Sequence, residues 1–119
     1  MSISHAEEML LVRLRTQTLR LLGVELRDLY DVHVQNQIIF IVNGLGNRFA
    51  VACANQNKEN RGEKVGSPDE FFGGDFAHLS SWKEAVNFTK REWYLSRNLA
   101  LLLCPEIEGD LRHFNNPLR

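Results

Sequence analysis

The groups in this sequence that could ligate a metal or move a proton are four histidines, two cysteines and 15 acids. Metal chemistry needs three or four such donors on one ion, and in sequence that shows as close, regular spacing. His5, His33, His78 and His113 are scattered, with no second histidine or cysteine at ligand spacing and no Cys-x-x-Cys. They read as surface or hydrogen-bonded residues, and no metal is expected. Cys53 and Cys104 lie in apolar runs and read as packed, reduced thiols. A disulfide between them stays open, but two cysteines make no framework.

Phosphate and nucleophile chemistry fare no better. Gly44-Leu45-Gly46-Asn47-Arg48 matches the first half of a dinucleotide-binding fingerprint. The third glycine is missing, and the flanking runs read as strand to strand, so a hairpin turn is the simpler reading. There is no Walker pattern, no Gly-x-Ser-x-Gly and no zinc deaminase signature. No cofactor and no catalytic residue is expected. Arg13 and Arg20 share one helical face, and Lys83, Lys90 and Arg91 another, as in a nucleic-acid patch. Glu84 and Glu92 are interleaved with the second set, and 14 basic against 15 acidic residues give a net charge of −1. Both sets read as solvated faces, with no global attraction to nucleic acid or to an anionic membrane.

The elements around these groups start from Gln37–Ala54. Two apolar, β-branched-rich runs flank Gly44 and Gly46, which is the local pattern of a β-hairpin. Ile38, Phe40 and Val42 would face one side of the sheet, and Ile39 and Ile41 the other. Tyr30-Asp31-Val32-His33-Val34 alternates, with Tyr30, Val32 and Val34 inward, as in a half-exposed edge strand. Three consecutive antiparallel strands result.

Helices are expected on either side. Ser4 and Glu7 form a capping box for a helix running to about Leu22, stopped at Gly23. Leu10, Leu11, Leu14, Thr18, Leu21 and Leu22 make its main stripe, and Met9, Val12 and Leu19 a second flank. Residues 55–66 are polar and read as a mobile loop. Ser67-Pro68-Asp69-Glu70 starts a one-turn helix that Gly73 and Gly74 end. Phe71, Phe72 and Phe76 cluster there. Ser81 and Glu84 cap a long helix that runs to about Leu103 and stops before Pro105. Trp82, Val86, Trp93 and Ala100 form one stripe on it; Phe88, Leu95, Leu99 and Leu102 form another. Beyond Pro105, Ile107, Leu111, Phe114 and Leu118 keep near-helical spacing, so residues 105–119 read as a docked tail with a short helix.

The expected fold is therefore α+β in the order α-β-β-β-α. It has a three-stranded antiparallel sheet, two long helices packed on one face and a short C-terminal helix, in a single domain over residues 1–119. That order is shared with two families. In the double-stranded RNA-binding domain the second helix opens on a basic cluster, whereas here Ser81-Trp82-Lys83-Glu84 opens it. The PD-(D/E)xK nucleases place acids and a lysine on neighbouring strands around Mg²⁺. The nearest equivalents are Asp31 and Lys58, with Lys58 in the polar loop. Neither overlap goes beyond topology.

No uninterrupted signal-peptide core and no apolar run of the roughly 20 residues a membrane span needs is visible, so a cytoplasmic protein without membrane contact is expected. The remaining feature is surplus apolar surface. It points to a small protein-binding module, an adaptor, inhibitor, immunity or regulatory protein without catalysis. A homodimer is expected, with Met9, Val12, Leu19, Phe71, Phe72, Phe88, Leu95, Leu99 and Leu102 at the interface. Nucleic-acid binding and a degenerate Mg²⁺-dependent nuclease are the alternatives.

Overall fold

The computed structural model describes residues 26–114, together with His5, Thr16 and Arg20. Those three are helical and exposed. The rest of the expected N-terminal helix, including Met9, Val12 and Leu19, lies outside the described residues, as does the tail beyond Phe114.

Among the described residues there is no strand. The α+β reading is overturned. A 3₁₀ segment, Leu26–Tyr30, leads into helix α1, Val32–Asn60. Helix α2 is Pro68–Phe72, a 3₁₀ turn follows at Gly74–Phe76, and helix α3 is Trp82–Leu103. A last 3₁₀ segment spans Pro105–Asp110.

Helix α1 replaces the edge strand, the hairpin and the first half of the polar loop. It starts at Asp31, whose carboxylate accepts the backbone N–H groups of His33 at 2.8 Å and Val34 at 3.4 Å. This is N-capping, which satisfies donors that the first turn leaves without partners. Ile38, Val42, Phe49, Ala52 and Cys53 are buried along it, at the three-and-four spacing of one helical face. Gly44 and Gly46 do not turn the chain, since among the described residues positive φ occurs only at Gly62 and Gly73. Gly62, at φ 78°, ends the helix instead. Its N–H reaches Glu59 O at 3.0 Å, and that of Glu63 reaches Lys58 O at 3.0 Å, the paired bonds of a Schellman stop. Read as one helix, α1 is long and apolar enough to cross a membrane by length and composition alone, a property that core helices share. That corrects the expectation that no such run exists.

By its contacts the chain divides into two units, Met1–Val42 with Tyr94–Leu111, and Asn43–Trp93 with Arg112–Arg119. In the second unit the remaining part of α1 lies against the first half of α3. Phe49 stacks on Trp93, with centroids 5.6 Å apart. A Cβ on Gly46 would meet the Trp93 indole at 2.9 Å and the ring of Phe114. The second glycine of the expected turn is thus a place of close approach. Ser81 and Glu84 open α3 as expected: the Ser81 hydroxyl accepts Glu84 N–H at 3.2 Å, and the Glu84 carboxylate accepts Ser80 N–H at 2.9 Å. Trp82, Val86 and Trp93 are buried, so this stripe faces a core, supplied by a helix and not a sheet. Trp82 also donates its indole N–H to Gly66 O at 2.7 Å, and Phe71 and Phe72 pack edge-on against it.

In the first unit, Ile38 and Val42 of α1 and Leu99 and Ala100 of α3 are buried. With Ile41, Ser96 and Leu103 they line an apolar cleft of about 20 Å³. That is room for little more than one water molecule. The 3₁₀ segment after Pro105 buries Ile107, and Leu111 is buried after it.

Candidate functional site

The first unit is tied together around one carbonyl. Leu29 O accepts the Gln35 side-chain N–H at 2.9 Å and the Cys104 thiol at 3.4 Å. Gln35 also donates to the Glu106 carboxylate at 2.7 Å. These bonds pin the 3₁₀ segment before α1, the first turn of α1 and the chain leaving α3 to each other. Cys104 and Leu29 are buried beneath. Burial pushes the Cys104 thiol up, and the Glu106 charge pushes the same way. The thiolate is the reactive form, so this cysteine is a packed and bonded group, not a nucleophile.

Around that knot stand side chains with no core to enter. Tyr30, next to Leu29, is 86% exposed, and Leu102, two residues before Cys104, is 66% exposed. Val32 and Tyr94 are exposed as well, and Phe40, on the outward side of α1, is 80% exposed. The described residues of this unit carry five carboxylates, Asp28, Asp31, Glu106, Glu108 and Asp110, against three guanidinium groups, Arg20, Arg27 and Arg97. The exposed apolar groups make this unit the candidate site.

The second unit gathers a different set. The Arg48 guanidinium lies 5.7 Å from the Phe76 ring centroid. Phe88 meets Phe76 and His78 edge-on, at 5.6 and 5.4 Å. One turn on from Phe88, Glu92 buries an oxygen that accepts no hydrogen bond. Burial pushes the Glu92 carboxyl up, and the charges of Arg48 and His78 pull it partly back. Cys53 is buried here, its thiol also pushed up by burial and partly restored by Lys90. Among the described residues no group of three or more His, Cys, Asp and Glu is arranged to hold a metal. Asp31 and Lys58, the nearest equivalents of a nuclease pair, lie at the N-cap and in the last turn of the same 29-residue helix.

The residues expected at an interface are distributed as follows. Leu102 stands in water, whereas Leu99, on the same stripe, is only 4% exposed and lines the cleft. Leu95 and Phe88 are half-buried, and Phe88 is engaged by Phe76 and His78. Phe72 is half-buried against Phe76 and Trp82, and Phe71 keeps an exposed edge. The stripe is thus not brought together as one free seam. Tyr30, Val32 and Phe40 were expected inside a sheet, and a strand reading could not place them outside. The signal that finds them is Asp31 as a helix cap, because it puts Tyr30 before the helix and turns Phe40 away from Ile38 and Val42.

Comparison of the chain with family models, curated proteins and solved structures gives no match.

Proposed function

We propose that this chain is a small helical protein-binding module without catalysis of its own, which engages its partner through the apolar side chains the first unit leaves in water. One observation carries the reading: Tyr30, Phe40 and Leu102 are large, apolar and exposed in a unit held together by specific bonds beneath two of them. Burial of each such side chain contributes about 1.5–3 kcal/mol, so a partner covering two or three of them gains useful affinity. The other gathered groups support a structural role. Arg48 is held over an aromatic ring, and the two thiols are buried.

The test is site-specific photo-crosslinking. A benzophenone amino acid replaces Leu102, or Phe40, in the full chain, and exposed Lys83 serves as the control position. A discrete adduct from position 102 or 40, absent from position 83, is the expected result. An adduct of twice the chain mass identifies a second copy as the partner, which would match the expected homodimer. Equal adducts from all three positions, or none, would sink the proposal. A nucleic-acid binder would instead show affinity for oligonucleotides that falls steeply with salt.

A further inference from the structure

We propose that segment 73–80 of the second unit is a proton-controlled strap, seated beside Phe88 and Glu92 while the Glu92 carboxyl is neutral and released when it ionises. The segment is held lightly. Of its described residues, Phe76 alone is buried. The N–H groups of Phe76, Ala77 and Leu79 donate to Gly73 O, Gly74 O and Phe76 O, each at 3.0 Å and each inside the segment. Rings tie it to the helices: Phe76 and His78 meet Phe88 of α3 edge-on, and the Arg48 guanidinium of α1 lies over Phe76. Few buried contacts and solvent-exposed backbone bonds put such an element at the low end of local stability. Gly73 and Gly74 join it to α2, and glycine backbone turns at the least steric cost.

Glu92 lies one helical turn on from Phe88, so it neighbours the ring on which the strap sits. One of its oxygens is buried and accepts no hydrogen bond. Two cations act on it from the surrounding elements, Arg48 from α1 and His78 from the strap, yet burial pushes the carboxyl up more than they pull it back. On α3 itself Lys90 acts on Cys53 and Arg91 is exposed, and on the strap Asp75 is exposed. Release of the strap returns water to the Glu92 oxygen and uncovers Phe76 and Phe88. The seated state therefore holds the Glu92 proton more tightly than the released state. Protonation favours seating by linkage: the strap is held most firmly below the ordinary glutamate range, and the hold weakens as pH rises through the raised value. Loss of the His78 charge on the same rise removes an attraction to the ionised carboxylate and acts in the same direction.

The experiment places a nitroxide on the strap of the full chain through Ala77→Cys, an exposed position, and reads its mobility by electron paramagnetic resonance. Cys53 and Cys104 are buried, so the new thiol takes the label, and the unsubstituted chain carried through the same reaction checks this. From about pH 4, near the ordinary glutamate value, to about pH 7, the ratio of mobile to immobile signal should rise several-fold. With Glu92→Gln added the label should stay immobile across the range, because the amide is neutral at every pH. A label introduced through Lys83→Cys, exposed on α3, should not respond. Phe76→Ala should free the strap label at every pH. Circular dichroism checks that each variant keeps its helices. Four results overturn the proposal: a strap label indifferent to pH, a response of the same size with Glu92→Gln, an equal response at position 83, or a strap label still immobile with Phe76→Ala.

Discussion

Gly44 and Gly46 sit two residues apart in α1, so the same substitution at each separates helix from hairpin and open face from close packing. Replacing glycine by alanine in a helix interior gains about 0.8–1 kcal/mol of propensity. At Gly44 a new Cβ meets nothing within 4 Å. Gly44→Ala should therefore stabilise the chain by about 1 kcal/mol. For a chain near this size that is a rise of roughly 4 °C in melting temperature. At Gly46 the propensity gain is the same, but the new methyl falls on Trp93 and Phe114. Trp93 is buried and stacked on Phe49, so Phe114, half-buried, must move. That forfeits its edge-on contact with Trp93, at 5.4 Å and 88°, worth about 0.5–1.5 kcal/mol. Half the burial of a phenylalanine adds roughly 1 kcal/mol to the loss. Gly46→Ala should then be net destabilising by about 1 kcal/mol, and the two variants should differ by about 2. The assay is urea unfolding followed by both helical ellipticity and tryptophan fluorescence. In a Phe114→Ala background the Gly46→Ala penalty should shrink, which makes a double-mutant cycle. A Gly44→Ala variant that is strongly destabilised would refute the helix, because a hairpin turn needs glycine there. A Gly46→Ala variant as stable as Gly44→Ala would refute the packing.

Two further outcomes follow from single side chains. Burial raises the Glu92 carboxyl above the ordinary glutamate value of about 4.3, so the folded chain holds that proton more tightly than the unfolded one. The penalty of the ionised form is full above the folded value and relieved as pH falls through it, vanishing below the unfolded value. Glu92→Gln should raise the melting temperature at neutral pH, and a melting series towards acid should show that advantage disappear. An advantage that stays constant across the series would exclude Glu92 ionisation as its cause. Asp31→Ala removes the cap of α1 and should cost about 1 kcal/mol in chemical unfolding, with a loss of protection in hydrogen exchange confined to the first turn. No change at the amides of His33 and Val34 would argue against the cap.

Helix α3 was legible in the sequence because each signal agreed. Ser81 and Glu84 opened it, Pro105 closed it, and the Trp82, Val86, Trp93 and Ala100 stripe found the core. Helix α1 was not, and the reasons are physical. Ile38, Ile39, Ile41 and Val42 are β-branched residues that favour strands on propensity. Two glycines in their midst suggest a break, although Gly46 is there to let Trp93 and Phe114 approach. Asp31 falls inside an accidental alternation from Tyr30 to Val34, which hid its capping role. The competing signal, apolar residues at 38, 42, 45, 49 and 52, has the helical period, but short apolar runs leave helix and strand ambiguous. The candidate site inherited this error in part. Leu102 was visible on the second stripe of the long helix, but the Glu106–Asp110 acids were not singled out, and Tyr30 and Phe40 turned outward only once the strands became a helix.

The composition of α1 also bears on how the chain is made. Between His33 and Lys58 its only formal charge is Arg48. Its packing partner, α3, starts at Trp82. Synthesis runs at about 5–20 residues per second, so for a second or more the ribosome presents a long apolar helix whose cover has not yet been translated. In that interval the membrane-insertion machinery and aggregation compete with folding. A mid-helix arginine raises the cost of insertion by about 2.5–3.5 kcal/mol. Arg48, which in the folded chain lies over Phe76, is thus also the residue that biases the nascent helix against the bilayer before its partner arrives.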